Sequence, residues 1–119
     1  MQIYHQRPLH FGIHAVPRQV FVFSSTGSRE INETKRNNPT WTFHMYNKDT
    51  ARQFVKKNCP QASHAYDVLV PIAYKADVFR LCAIYSHGGV YMDDDLLPLR
   101  SLDTITLSNE KGLMLVEDI

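Results

Sequence analysis

The chain has 119 residues, 44% of them apolar, and a formal net charge of +1 at pH 7. That bounds it to at most one small globular domain without fibrous or disordered bias, and near-neutrality argues against a nucleic-acid binder held by bulk charge. The longest apolar runs, such as Val20 to Phe23 and Val68 to Val70, fall far short of the ~20 residues needed to cross a membrane. The opening Met1-Gln-Ile-Tyr-His-Gln-Arg-Pro lacks the apolar core of a secretory signal.

Residues 1–15 read as an irregular N-terminal segment, and residues 16–119 as the domain. His5, His10 and His14 recur at near-regular intervals, but no strong ligand spacing accompanies them and no metal role is expected. Val16 to Phe23 reads as a first strand, with Pro17 at its entry where a missing N–H is tolerated. Ser24-Ser25-Thr26-Gly27 breaks it. Residues 28–38 are polar except for Ile31 and predict a solvent-facing helix that stops at Asn38-Pro39. Trp41 to Tyr46 alternates large apolar with more polar side chains, as a half-buried strand does. Asn47 or Asp49 is the candidate cap of the next helix, Thr50 to Asn58. That helix puts Ala51, Phe54 and Val55 on one face and Lys56 and Lys57 in its last turn, where cations favour the dipole, and Pro60 prevents its continuation. Strand alternating with helix favours a parallel sheet with covering helices, whose ligands bind beyond the carboxyl ends of the strands.

Pro71 to Ser86 predicts a further helix. Pro71 suits its first turn, and Ile72, Ala76, Phe79 and Ala83 repeat along one face. Asp77 and Arg80 are neighbours on that helix surface, a pairing that on its own is an ordinary ion pair worth a few tenths of a kcal/mol. Their place just ahead of the next segment gives them more interest. His87-Gly88-Gly89 ends the helix tightly, and glycine here lets a ligand approach the backbone. Val90 to Met92 then has the character of a short buried strand, and it ends in Asp93, Asp94 and Asp95. Side chains alternate along an extended strand, so Asp93 and Asp95 are expected to point one way and Asp94 the other. Two carboxylates on one face raise each other's pKa unless a cation lies between them. Hard oxygen ligands suit Mg²⁺ or Mn²⁺, which bind through one or two carboxylates and complete their shell with water and substrate phosphates. The residues alone thus point to a metal-assisted site for a phosphorylated ligand.

Leu96 to Asp103 leaves the sheet, and Gly112 to Val116 makes a last apolar strand. A strand aimed at a core should be followed by something to cover it, so the fold is expected to be truncated on its C-terminal side. Cys59 and Cys82 could pair, but their spacing matches neither a disulfide framework nor a zinc site, and they read as a loop thiol and a core thiol.

Ala76-Asp77-Val78-Phe79-Arg80, followed by Gly88-Gly89-Val90-Tyr91-Met92-Asp93-Asp94-Asp95, resembles the sugar-nucleotide-binding region with a DXD motif of glycosyltransferase family 32. That family includes the yeast initiating α-1,6-mannosyltransferase and inositol-phosphorylceramide mannosyltransferases, and the glucosylating clostridial toxins carry a similar region. Upstream, Val16-Pro17-Arg18 is similar to an entry of the form I-P-K, and Asn38-Pro39-Thr40-Trp41 to N-P-D-W. The resemblance implies an α/β fold of GT-A type, a Rossmann-like, mostly parallel sheet with flanking helices. It implies that Asp77 and Arg80 hydrogen-bond the donor sugar, that Asp93 lies near ribose and sugar hydroxyls, and that Asp95 ligates the metal directly, with Asp94 in the variable middle place. Gly88, Gly89 and Tyr91 belong to the same motif and are expected against substrate. Phe21-Val22 departs from the polar or aromatic pair the family often carries there, which puts base-stacking by the first strand in doubt.

The activity implied is metal-dependent, retaining transfer of a hexose from a nucleotide-diphosphate sugar to a glycan, lipid or protein acceptor, with Mn²⁺ or Mg²⁺ held by Asp95 and Asp93. A Golgi location follows only if a longer eukaryotic product carries an anchor. The alternative is a non-catalytic or truncated sugar-nucleotide-binding module. A haloacid-dehalogenase-like phosphotransferase would use Asp93 as nucleophile, but the Thr or Val usual two residues after its motif is Leu97 here. A calcium loop fails because Leu97 and Pro98 stand where an oxygen ligand and Gly are needed.

Overall fold

The computed structural model describes residues 2–4, 16–107 and 113–115; His5, His10 and His14 lie outside the described residues. The elements are β1 (Gln2–Tyr4), β2 (Gln19–Phe23), α1 (Arg29–Asn37), β3 (Thr42–Tyr46), α2 (Lys48–Asn58), a 3₁₀ turn (Pro60–Ala62), α3 (Ser63–Val68), α4 (Ile72–His87), β4 (Gly89–Met92), α5 (Leu102–Leu107) and β5 (Leu113–Leu115). Their strands form a sheet of order β3-β2-β4-β1-β5, in which β2 runs parallel to β3 and β4, while β1 is antiparallel to β4 and β5. The fold is therefore the expected mostly parallel α/β sheet. The correction at its N-terminal end is β1: a segment read as irregular contributes a strand between β4 and β5. Three residues are too short a run for the alternation of polar and apolar side chains to be read.

The two faces of the sheet carry separate cores, because the side chains of a strand alternate. Phe21 and Tyr91 pack with Ala51 and Val55 of α2, Tyr66 of α3 and Phe79, Ala83 and Ile84 of α4. Val20, Val22, Val90 and Met92 face the other way, against Ile31 of α1, Trp41 and Leu102 of α5. Strands buried on both faces read as continuous apolar runs, which is why β2 and β4 were legible.

The helix ends follow local chemistry. Ser28 caps α1 by accepting from the Ile31 N–H at 3.1 Å, and the helix stops at Asn38. Of the two candidates for α2, Asn47 is the cap: its Oδ1 accepts from the N–H groups of Asp49 and Thr50, and the Thr50 hydroxyl accepts from the Asn47 N–H at 2.9 Å. The helix accordingly begins at Lys48 rather than Thr50. Buried Asn38 ties two elements of one face, donating to the Thr34 carbonyl and accepting from the Leu102 N–H. In α4, Phe79 and Ala83 are fully buried as expected, but Ile72 is 52% exposed. A 16-residue helix is about 24 Å long and β4 about 13 Å, so the first turn of α4 overhangs the sheet.

Cys59 and Cys82 are not separate thiols but a disulfide, with Cα atoms 6.0 Å apart. Helices α2 and α4 lie side by side on one sheet face, and this packing sets the residue after α2 against the middle of α4. Linear spacing carries no trace of that neighbourhood. Below them, the Tyr66 hydroxyl donates to the Lys48 carbonyl at 2.5 Å, and burial pushes it up to about 12. No helix among the described residues is long and apolar enough to cross a membrane.

Candidate functional site

Strands β2, β3 and β4 are parallel and end on one side of the sheet, so the residues that follow them share an edge. At that edge the Ser24 N–H donates to the Tyr46 carbonyl at 2.8 Å, and Asp93 to Asp95 follow Met92. Helix α4 reaches the same edge from the opposite direction. The Gly88 N–H closes the helix on the Ile84 carbonyl, and Gly88 and Gly89, at φ +71° and +106°, reverse the chain into β4. Counting back from this reversal, Arg80 stands about 10 Å and Asp77 about 15 Å up the helix from His87. Asp93 lies about 13 Å along the strand direction from Gly89. Helix rise and strand rise thus bring Asp77, Arg80 and Asp93 to one level.

Tyr91 registers this convergence. It is buried, and burial drives its hydroxyl pKa upward; Asp93 adds to the rise, Asp77 and Asp94 more weakly, and Arg80 opposes it. The guanidinium carbon of Arg80 lies 5.8 Å from the centre of the Tyr91 ring, within cation–π range. Tyr91 is thereby a platform beneath Arg80 rather than a surface open to ligand. Arg80 Nη2 contacts Asp77 Oδ1 at 3.0 Å, while its buried Nε–H has no hydrogen-bond partner. An unpaired buried donor costs about 1–3 kcal/mol, a cost that an added acceptor oxygen removes.

The aspartates depart from the expected alternation. The strand ends at Met92, and the Leu96 N–H donates to the Asp93 carbonyl at 3.3 Å, so Asp94 and Asp95 form the corners of a turn. The period of two does not extend beyond the ladder. Asp93 and Asp95 are exposed and Asp94 half-buried. The donor set is hard oxygen, and among the described residues no group of three His, Cys, Asp or Glu side chains is arranged to hold a metal ion. Hard carboxylate oxygens are the donor type that Mg²⁺ or Mn²⁺ takes, beside water and phosphate.

Gly88 and Gly89 are not brought to the aspartates. They lie buried at the other end of β4, where a Cβ on Gly89 would meet the Gln19 carbonyl oxygen at 2.6 Å. Gln19 Nε2 donates to the carbonyls of His87 and Gly88 at 3.1 and 3.3 Å, sealing that end. At Gly89 the absence of a side chain answers to a close approach of the Gln19 backbone. Phe21 and Val22 are likewise buried in the two cores and unavailable for stacking on a base.

Residues 24–111 match the family described as glycosyltransferase sugar-binding region containing DXD motif. The chain belongs to that family. The match spans the βα loop after β2, the Asp77–Arg80 pair and the aspartate turn, the same pieces that meet at one sheet edge. No curated protein and no solved structure matches the chain. Within this sugar-binding region, reading by motif passed over Ser28. Its hydroxyl donates to the Asp94 carbonyl while capping α1. The signal available was a Gly-Ser pair opening a polar helix, which announces a cap but not a partner 66 positions away.

Proposed function

We propose that this domain binds a nucleotide-diphosphate sugar at the carboxyl edge of the sheet and transfers its hexose, with retention, to a glycan, lipid or protein acceptor. The observation that carries the reading is the meeting of the Asp77–Arg80 pair with the aspartate turn above Tyr91. Asp95 and Asp93 would hold Mn²⁺ or Mg²⁺. When bound, the ion neutralises charge on the departing diphosphate, worth several kcal/mol. Arg80 offers planar guanidinium donors to oxygens of the sugar or diphosphate, and Asp77 fixes the guanidinium and accepts from sugar hydroxyls. Buried Tyr91 holds the guanidinium from below and excludes water from that side.

Mn²⁺-dependent hydrolysis of uridine- and guanosine-diphosphate sugars, compared with Asp95→Ala, tests the reading. Turnover lost in the variant is the expected result. Metal-dependent binding without turnover would instead favour a sugar-nucleotide-binding module.

A further inference from the structure

We infer that Ser28 is a positioning residue for the carboxylates, holding the aspartate turn in the shape that receives the metal; the inference rests on the metal-dependent reading of the site above. Its hydroxyl makes two bonds at once: the oxygen accepts from the Ile31 N–H at 3.1 Å, and the hydrogen goes to the Asp94 carbonyl. The first bond is an ordinary helix cap. The second is not needed by the helix, and its acceptor sits between the two proposed metal ligands. Because a peptide unit is planar, fixing the direction of the Asp94 carbonyl also fixes the Asp95 N–H and Cα. The Asp93 side of the turn is held separately, by the Leu96 N–H on the Asp93 carbonyl. Together the two bonds set the angle between the carboxylate-bearing residues.

The loop that delivers Ser28 is itself fixed. The Ser24 N–H donates to the Tyr46 carbonyl, and buried Ser24 turns its Oγ inward to accept from the Gly27 N–H at 3.1 Å. Gly27, at φ +74°, then turns the chain so that Ser28 enters α1 facing β4. A rigid frame running from β3 through the first βα loop thereby ends on the carbonyl of Asp94. Partners that hydrogen-bond metal ligands directly commonly contribute ten- to a hundredfold to metal affinity, and Ser28 acts on the peptide that joins Asp94 to the proposed ligand Asp95.

Mn²⁺ alone, titrated into the 119-residue protein and followed by electron paramagnetic resonance, reads affinity without any turnover. Ser28→Ala loses both bonds and is expected to weaken Mn²⁺ binding about tenfold or more. Ser28→Thr keeps a hydroxyl able to make both and is expected to bind like the parent. Ile31→Val loosens α1 against its core without touching the turn, and at a comparable loss of thermal stability its Mn²⁺ affinity is expected to be unchanged. Equal affinity in the parent and Ser28→Ala, or an equal loss in Ile31→Val, overturns the positioning role and leaves the metal site standing. A parent protein that binds no Mn²⁺ overturns both together.

Discussion

The two ends of β4 solve opposite problems. At its start, Gly89 lies so close to β2 that no side chain fits, and Gln19 spends its amide on the carbonyls of His87 and Gly88 while its Oε1 accepts from His44 Nε2 at 3.2 Å. At its finish, two exposed carboxylates leave the sheet in a turn, and an arginine nearby keeps a buried N–H unpaired. Four residues separate a sealed end from an end with unspent polar capacity. On the proposed function, stability and ligand chemistry divide along a single strand, and substitutions at its two ends should fall into separate classes.

The sharpest break between the classes is Asp95→Ala. Loss of the charge stabilisation supplied at the metal is expected to cut Mn²⁺-dependent turnover on the order of a thousandfold, with the urea unfolding midpoint unchanged. The converse is Gly89→Ala. A Cβ within 2.6 Å of a backbone oxygen at φ +106° is expected to cost about 3 kcal/mol or more in chemical denaturation, acting on the fold rather than on ligand affinity per folded molecule. Somewhat smaller is the disulfide. Closing a loop across a sequence separation of 23, it is expected to contribute about 3 kcal/mol, measured as the difference in unfolding free energy between the parent and a Cys59→Ala, Cys82→Ala double variant.

The smallest effect concerns pH. Burial, and then the neighbouring His87, hold His44 below its ordinary value of 6.5. The unfolded chain therefore takes up a proton at a higher pH than the folded one, so this contribution is fully present above pH 6.5 and is lost as pH falls through the folded value. Thermal unfolding scanned downward from neutral pH is expected to fall less steeply in His44→Gln than in the parent.

Much of this division was legible because short-range physics writes it plainly. Apolar runs marked β2 and β4, Pro39 and Pro60 marked helix ends, and the three aspartates do follow the end of a buried strand at the candidate site. What escaped depended on neighbours distant in the chain. The Cys59–Cys82 bond requires α2 beside α4, the glycines pack against Gln19 of β2, and Ser28 meets Asp94 only when β2 lies next to β4. The turn at Asp93 to Leu96 was misread for a different reason: alternation was carried past the last ladder pair, Val22 with Met92.

The tight reversal at Gly88 and Gly89 also makes the interval from Arg80 to Asp93 a ruler. Each residue added to the helix side would swing Asp77 and Arg80 by about 100° around the axis, and each added to the strand side would invert the face that Tyr91 presents. Length changes between those two marks should be forbidden, whereas the run from Leu96 to Ser101, which carries neither helix nor strand, should accept them.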